Sequence, residues 1–504
     1  MAKIVAAANV VLIAGGVLAT AAWLYCIYYY GWTGERQLSG DRGIIFYYVC
    51  PAIVASLFFA SLRLESSYKI NLAVVCIALA VCFYGGELLL VVVNWIHEPP
   101  KEKTNQAVVQ LAKQFGIAFD ARSKLEVVND LRERGIDAVP AIIPEYLLDK
   151  QNDGTLKSSI SIDGVEVQPL SGIANKTTVL CNEGGEFAIY QSDEHGFHNP
   201  KGIWQLPGVD VAAIGDSFTQ GWCVPSGKNF VDVIRKQYPA TLNLGMEGSG
   251  PLLELAKLKE YLPPLRPKTV LWFYFEGNDL SDLKKEATSK LMMRYLESNF
   301  SQRLRSRQRD LDEVLIRYIR WQEERHRNSP LRSAVDALPA FVKLSALRQQ
   351  FGLIYGANLS EKGGLLRTEE ANIALLQAIL LQAKSAVSSW GGVLDFVYLP
   401  TWERYAHPES VTVRRDSILN LVKHLDIPVL DLHPVFQASG DPLSLFPFRH
   451  GWHYNEKGHR LVGEEALRFI SRNPMAPSRP VPALSVPVSD PSFMKNVALR
   501  STRN

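Results

Sequence analysis

Residues 269–275 read Thr-Val-Leu-Trp-Phe-Tyr-Phe, a run that stays apolar after its leading threonine. A strand with one wet face alternates in polarity. A strand without polar alternation is buried on both faces, which is the situation of a parallel sheet covered by helices on each side. Near-continuous apolar runs at 211–214, 241–244, 392–398 and 429–432 read as further strands, with Asn243, Asp395 and Asp431 the polar interruptions. Between and after them lie stretches of helical spacing at 229–237, 252–261, 373–388, 411–424 and 456–471. Strands alternating with helices predict an α/β domain, and such sheets bind ligands beyond the carboxyl ends of their strands.

Four of these strand exits carry polar clusters. The first run leads into Gly215-Asp216-Ser217, and the second into the segment Asn243 to Gly250, which contains Gly248. The third leads into Glu276-Gly277-Asn278-Asp279, and the block that leads from the last strand into the last helix holds His450 and His453, with His459 in the first turns of that helix. Acyl transfer needs a nucleophile beside a base, donors aimed at the developing oxyanion, and a group that orients the base. Ser217 at a strand-to-helix turn can project its hydroxyl. Gly248 can present a backbone N–H at close range. Asn278 offers an amide donor that does not titrate, and His453 is the candidate base. Asp216 reads as a loop-fixing acid, and Glu276 and Asp279 as structural or substrate-side groups. His459 reads as a packing or capping residue of the last helix. The three histidines alone do not make a zinc set, so no metal and no cofactor are expected.

The N-terminal fifth is of a different character. Apolar segments at about 4–30, 44–62 and 70–96 each approach the ~20 residues that cross a hydrocarbon core, with Glu87 the one acid inside them. Aromatic residues such as Trp32 and Trp95 lie near their ends, where interfacial belts form. The reading is three transmembrane helices in a membrane anchor over 1–100. A mixed connecting region follows over 101–189, with helical spacing at 113–134 and two short strands around Gly184-Gly185. Basic residues flank the spans almost evenly, so they do not set orientation. Of six cysteines, only Cys181 and Cys223 lie outside the spans. They form one disulfide in an oxidising compartment or remain two buried thiols, and the lean is to an external or periplasmic catalytic domain on a bacterial inner membrane. A net charge of +3 from 54 basic and 51 acidic residues makes no electrostatic case for nucleic acid.

The four blocks together resemble the SGNH (GDSL-like) hydrolases, through GDS at 215–217, Gly248 within NLGMEGSGP, GND at 277–279 and His453. The Gly196-Phe197 turn is similar to the lead-in of many bacterial members. The resemblance covers about 190–472, with a helical insertion at 284–369, and a Pro-rich tail fills 473–504. It implies a flavodoxin-like three-layer α/β/α fold with a parallel sheet. It also implies Ser217 as nucleophile, His453 as base, and Ser217 N–H, Gly248 and Asn278 as the oxyanion hole. It implies a membrane-anchored serine esterase or O-acyltransferase, by similarity acting on acetyl esters of a cell-surface polysaccharide. Two alternatives stand beside it: a degenerate domain that binds glycan or a partner, and a lipase acting on membrane lipid. The insertion reads as a packed helical pair or as a lid or partner-binding arm. One departure is plain. The family places an Asp two or three residues before the histidine, where this chain has Gly451 and His450. The nearest upstream acids are Asp431 and Asp441, so the sequence predicts a Ser–His dyad or a weak enzyme.

Overall fold

The computed structural model describes residues 1–28, 48–97, 102–151, 154–327, 344, 361–408, 414–451 and 453–472. Five strands form the central sheet: β1 (Val211–Ile214), β2 (Thr241–Asn243), β3 (Thr269–Phe275), β4 (Val393–Leu399) and β5 (Val429–Asp431). Their spatial order is β5-β4-β3-β1-β2, and every pairing is parallel. That is the flavodoxin-like order, with its topological switch between β1 and β3. The fold expected from the four blocks is therefore present.

Alternate residues of each strand enter different cores, as a period of two requires. Val270, Trp272 and Tyr274 pack with helices Pro251–Tyr261 and Glu361–Ser389 on one face. Leu271 and Phe273 pack with helices Phe230–Arg235 and Glu456–Arg472 on the other. Trp272 and Phe273 are both fully buried, which is the two-sided burial that the unbroken apolar run predicts. The helix Gln308–Arg327 lays Leu311, Leu315 and Ile319 onto the first core. That is the packing version of the insertion for this part of it; most of 328–360 lies outside the described residues, as does the tail from 473.

Ahead of the sheet, the helical spacing at 113–134 resolves into two helices, Glu102–Gln114 and Lys124–Glu133. The break has a local cause. Gly116 takes a left-handed conformation, and Ser123 with Glu126 forms a capping box that starts the second helix afresh. The strands around Gly184-Gly185 are real: Thr177–Val179 pairs antiparallel with Ile189–Gln191, and Ala138–Pro140 joins in parallel.

Among the described residues, the three expected membrane spans are reduced to two. Helices Ala2–Cys26 and Ser66–His97 contain 25-residue stretches long and apolar enough to cross a membrane. The middle apolar helix, Cys50–Ser61, has 12 residues and starts at Pro51 in its first turn. At 1.5 Å per residue it rises about 18 Å, against a hydrocarbon core of about 30 Å. The first residues of that expected span, 44–47, lie outside the described residues.

Candidate active site

The nucleophile candidate sits where β1 ends. Asp216 caps the short helix Ser217–Gln220, its Oδ1 accepting from the Phe218 N–H at 3.0 Å. Gly221 closes that helix in a left-handed conformation, and the Trp222 N–H returns to the Ser217 carbonyl at 3.0 Å. The turn is buttressed from below by fully buried Lys257, whose Nζ donates to the Gly215 carbonyl at 2.8 Å. Beside it the segment after β2 passes so close that a Cβ on Gly245 would run into the backbone of Thr219 and Gln220.

The structure brings Ser217 and His453 together. Ser217 Oγ lies 2.8 Å from His453 Nε2, across 236 residues of chain. His453 also meets a carboxylate, which comes from a part of the chain that sequence reasoning left unassigned. Glu183 Oε1 is 2.9 Å from His453 Nδ1, and Glu183 Oε2 accepts the His453 backbone N–H at 3.1 Å. A carboxylate at Nδ1 fixes the proton there and leaves the Nε2 lone pair for the serine hydroxyl. The acids nearest in sequence are engaged elsewhere. Asp431 pairs with Arg415 and Asp441 with Arg449. His459 is buried under Phe230, its Nδ1 accepting that residue's N–H at 3.3 Å.

Charge sets the histidine's basicity. Burial pulls His453 down, but the Glu183 charge and hydrogen bond, with Glu247 and Asp216, outweigh it and hold the imidazole at about 9. Burial raises Asp216 to about 7 against the opposing pull of His453. Glu247, next to Gly248, is likewise raised by burial although His453 and Ser217 lie beside it.

The three expected oxyanion groups follow β1, β2 and β3 in turn. Ser217 is the first residue of its helix, where an N–H has no intrahelical acceptor. Gly248 adopts φ +68, and a Cβ there would press on Glu145 and Ile143. Asn278 stands at the start of helix Asp279–Glu286 yet its side chain makes no capping bond. The capping role that a turn asparagine ordinarily plays is thus vacant, while its neighbour Asp279 accepts the Phe275 N–H at 2.8 Å.

Residues 213–461 match the GDSL-like Lipase/Acylhydrolase family. These residues form a domain of that family. Solved structures similar to it include a putative lipolytic protein of the G-D-S-L family from Desulfitobacterium hafniense, 14% identical over 52% of this chain and 99% of that one, with a TM-score of 0.28. A lipase/acylhydrolase from Enterococcus faecalis is 13% identical over 55% of this chain and 100% of the other, with a TM-score of 0.29. A two-domain esterase active on acetylated mannans is 12% identical, covering 56% and 55%, with a TM-score of 0.27. No curated protein matches the chain. Glu183 lies 30 residues ahead of the GDSL-like match, which begins at 213. The one sequence signal that could have found it is Cys181, two residues away, which is bonded to Cys223.

Proposed function

We propose that this GDSL-family chain is a membrane-anchored serine esterase working through Ser217, His453 and Glu183. The observation that carries the reading is the continuous Ser217–His453–Glu183 contact; a proton held at Nδ1 by the carboxylate would leave Nε2 to act as base. His453 Nε2 takes the Ser217 proton as Oγ attacks the ester carbonyl. The imidazolium that results faces the Glu183 carboxylate, and the tetrahedral oxyanion turns toward the Ser217 and Gly248 N–H groups and the Asn278 amide. Collapse passes the proton from His453 to the departing alcohol and leaves Ser217 acylated. An incoming hydroxyl, deprotonated by the same nitrogen, then releases the acyl group.

Water as that acceptor gives hydrolysis, and a sugar hydroxyl gives O-acyl transfer; the site residues serve both. The acyl group in this reading is acetyl on a cell-surface polysaccharide, as the family resemblance implies. The helices Ala2–Cys26 and Ser66–His97 would hold the enzyme at the bilayer. The disulfide fits an oxidising, external or periplasmic face. Glu183 supplies the acid whose absence was one of the two motives for a degenerate binding domain, the helical insertion at 284–369 being the other. The catalytic unit in this reading starts near residue 102 rather than at the family match.

The test is covalent labelling of the full chain in detergent with a fluorophosphonate, followed by turnover of acetyl, butyryl and longer p-nitrophenyl esters and of an acetylated polysaccharide. Labelling of wild type but not Ser217→Ala, with acetyl esters preferred, is the expected result. Unlabelled wild-type protein, or Ser217→Ala turning over esters at the wild-type rate, would sink the reading; a preference for long chains would move the substrate to lipid.

A further inference from the structure

The acid of this site has an unusual support. Glu183 stands at the tip of the hairpin formed by Thr177–Val179 and Ile189–Gln191. Apart from the Glu183 contacts with His453, the tip's hydrogen bonds run to the segment that precedes it. Asn182 Nδ2 donates to the carbonyls of Asp120 and Gly185 at 3.0 Å each, and the Asp120 N–H donates to Gly185 at 2.8 Å. These bonds shape the tip and tie it to the preceding segment, but none reaches the nucleophile turn.

Two links reach across from the hairpin: Gln220 Nε2 donates to the Tyr190 hydroxyl at 3.5 Å, and Cys181, much nearer the tip, is disulfide-bonded to Cys223. Cys181 is two residues from Glu183. Cys223 directly follows Trp222, whose N–H is bonded to the Ser217 carbonyl. Around the bond lies a small apolar cluster of Leu180, Ala188, Tyr190 and Trp222. We infer that the Cys181–Cys223 disulfide is a positioning element of the reaction, holding the Glu183 carboxylate on His453 by tethering the hairpin tip to the turn that carries Ser217. The inference rests on the triad reading given above.

Two costs compete at the tip. Glu183 and His453 are both only 17% exposed at their side chains, so the carboxylate must be kept out of water to serve the imidazole. An untethered hairpin tip can swing toward solvent and recover the hydration of that carboxylate. The disulfide closes a loop across 42 residues and removes that freedom from the folded tip as well as from the unfolded chain. Cys181 and Cys223 touch no reacting atom; they act through Glu183.

The test compares full-length wild type before and after treatment with a water-soluble phosphine, which takes up oxygen from water as the two thiols form. Cys181→Ala with Cys223→Ala serves as a second route to the open state, and Glu183→Gln as the reference. Reduction is expected to lower kcat/KM at pH 9 at least tenfold, to move the acidic limb of its pH profile downward, and to leave KM unchanged. Reducing Glu183→Gln should change little further, because the carboxylate to be positioned is already gone. A fully reduced wild type that keeps its rate and limb would overturn the inference. So would an equal fractional loss in wild type and Glu183→Gln, which marks a merely structural bond. Both results presuppose turnover that depends on Ser217; its absence would instead count against the triad reading itself.

Discussion

Glu183→Gln is the most informative substitution, because the structure says how its effect must vary with pH. The amide keeps the size of the side chain and removes its charge. Glu183, with Glu247 and Asp216, holds His453 at about 9 instead of 6.5 despite burial. That difference corresponds to about 3 kcal/mol in favour of the imidazolium. The transition state contains the imidazolium in either enzyme. Above pH 9 the free wild-type histidine is neutral, so the part of this preference that Glu183 supplies appears as lost transition-state stabilisation, on the order of 10² in kcat/KM. Near pH 6 the free wild-type histidine is already protonated, so the same interaction stabilises ground and transition states alike and most of the difference cancels. Wild-type kcat/KM should therefore climb about tenfold per pH unit to a limb near 9. In Glu183→Gln, burial is left with less opposition and the limb falls toward or below the ordinary histidine value. The assay is kcat/KM for p-nitrophenyl acetate from pH 5.5 to 10, with the melting temperature checked to show that the variant is folded. A folded variant with the wild-type limb and a rate within threefold at pH 9.5 would refute the reasoning.

Two further substitutions probe the surroundings of the turn. Asn278→Ala removes an amide that makes no cap bond, so kcat should fall by about 10²–10³ while the melting temperature stays close to that of wild type. Gly245→Ala puts a methyl group into the backbone of Thr219 and Gln220. A cost of about 1–3 kcal/mol is expected, read as a lower denaturant midpoint, with fluorophosphonate labelling of Ser217 slowed as its turn is displaced.

The legible and illegible parts of this chain differ in the range of the interactions that set them. The sheet could be read because its strands announce two-sided burial locally, as Val270 to Phe273 do. Ser217 and His453, which the structure brings together, could be placed because each lies within a few residues of a strand end or helix start in a recognisable block; Gly248 and Asn278 were named by the same blocks, and their oxyanion role is a proposal. The second membrane span was not legible in this way, because an apolar composition over 44–62 does not set the length of the helix, which runs Cys50–Ser61 among the described residues. Glu183 was the hardest. Its contact with His453 spans 270 residues, and Cys-Asn-Glu-Gly-Gly has the composition of an ordinary turn. Leaving the pairing of Cys181 and Cys223 open hid the one clue, since a bond between them carries residue 183 to the neighbourhood of residue 217.

The position of that acid bears on how this enzyme could be cut or transplanted. A fragment trimmed to the family match, 213–461, would keep the serine, the histidine and most of the sheet, and would look complete by every motif. It would also have an unpaired Cys223 and an imidazole with nothing at its far nitrogen. Grafting the domain onto another carrier therefore means moving the hairpin with it, and sequence variation in that hairpin can tune the chemistry without touching any residue of the four blocks.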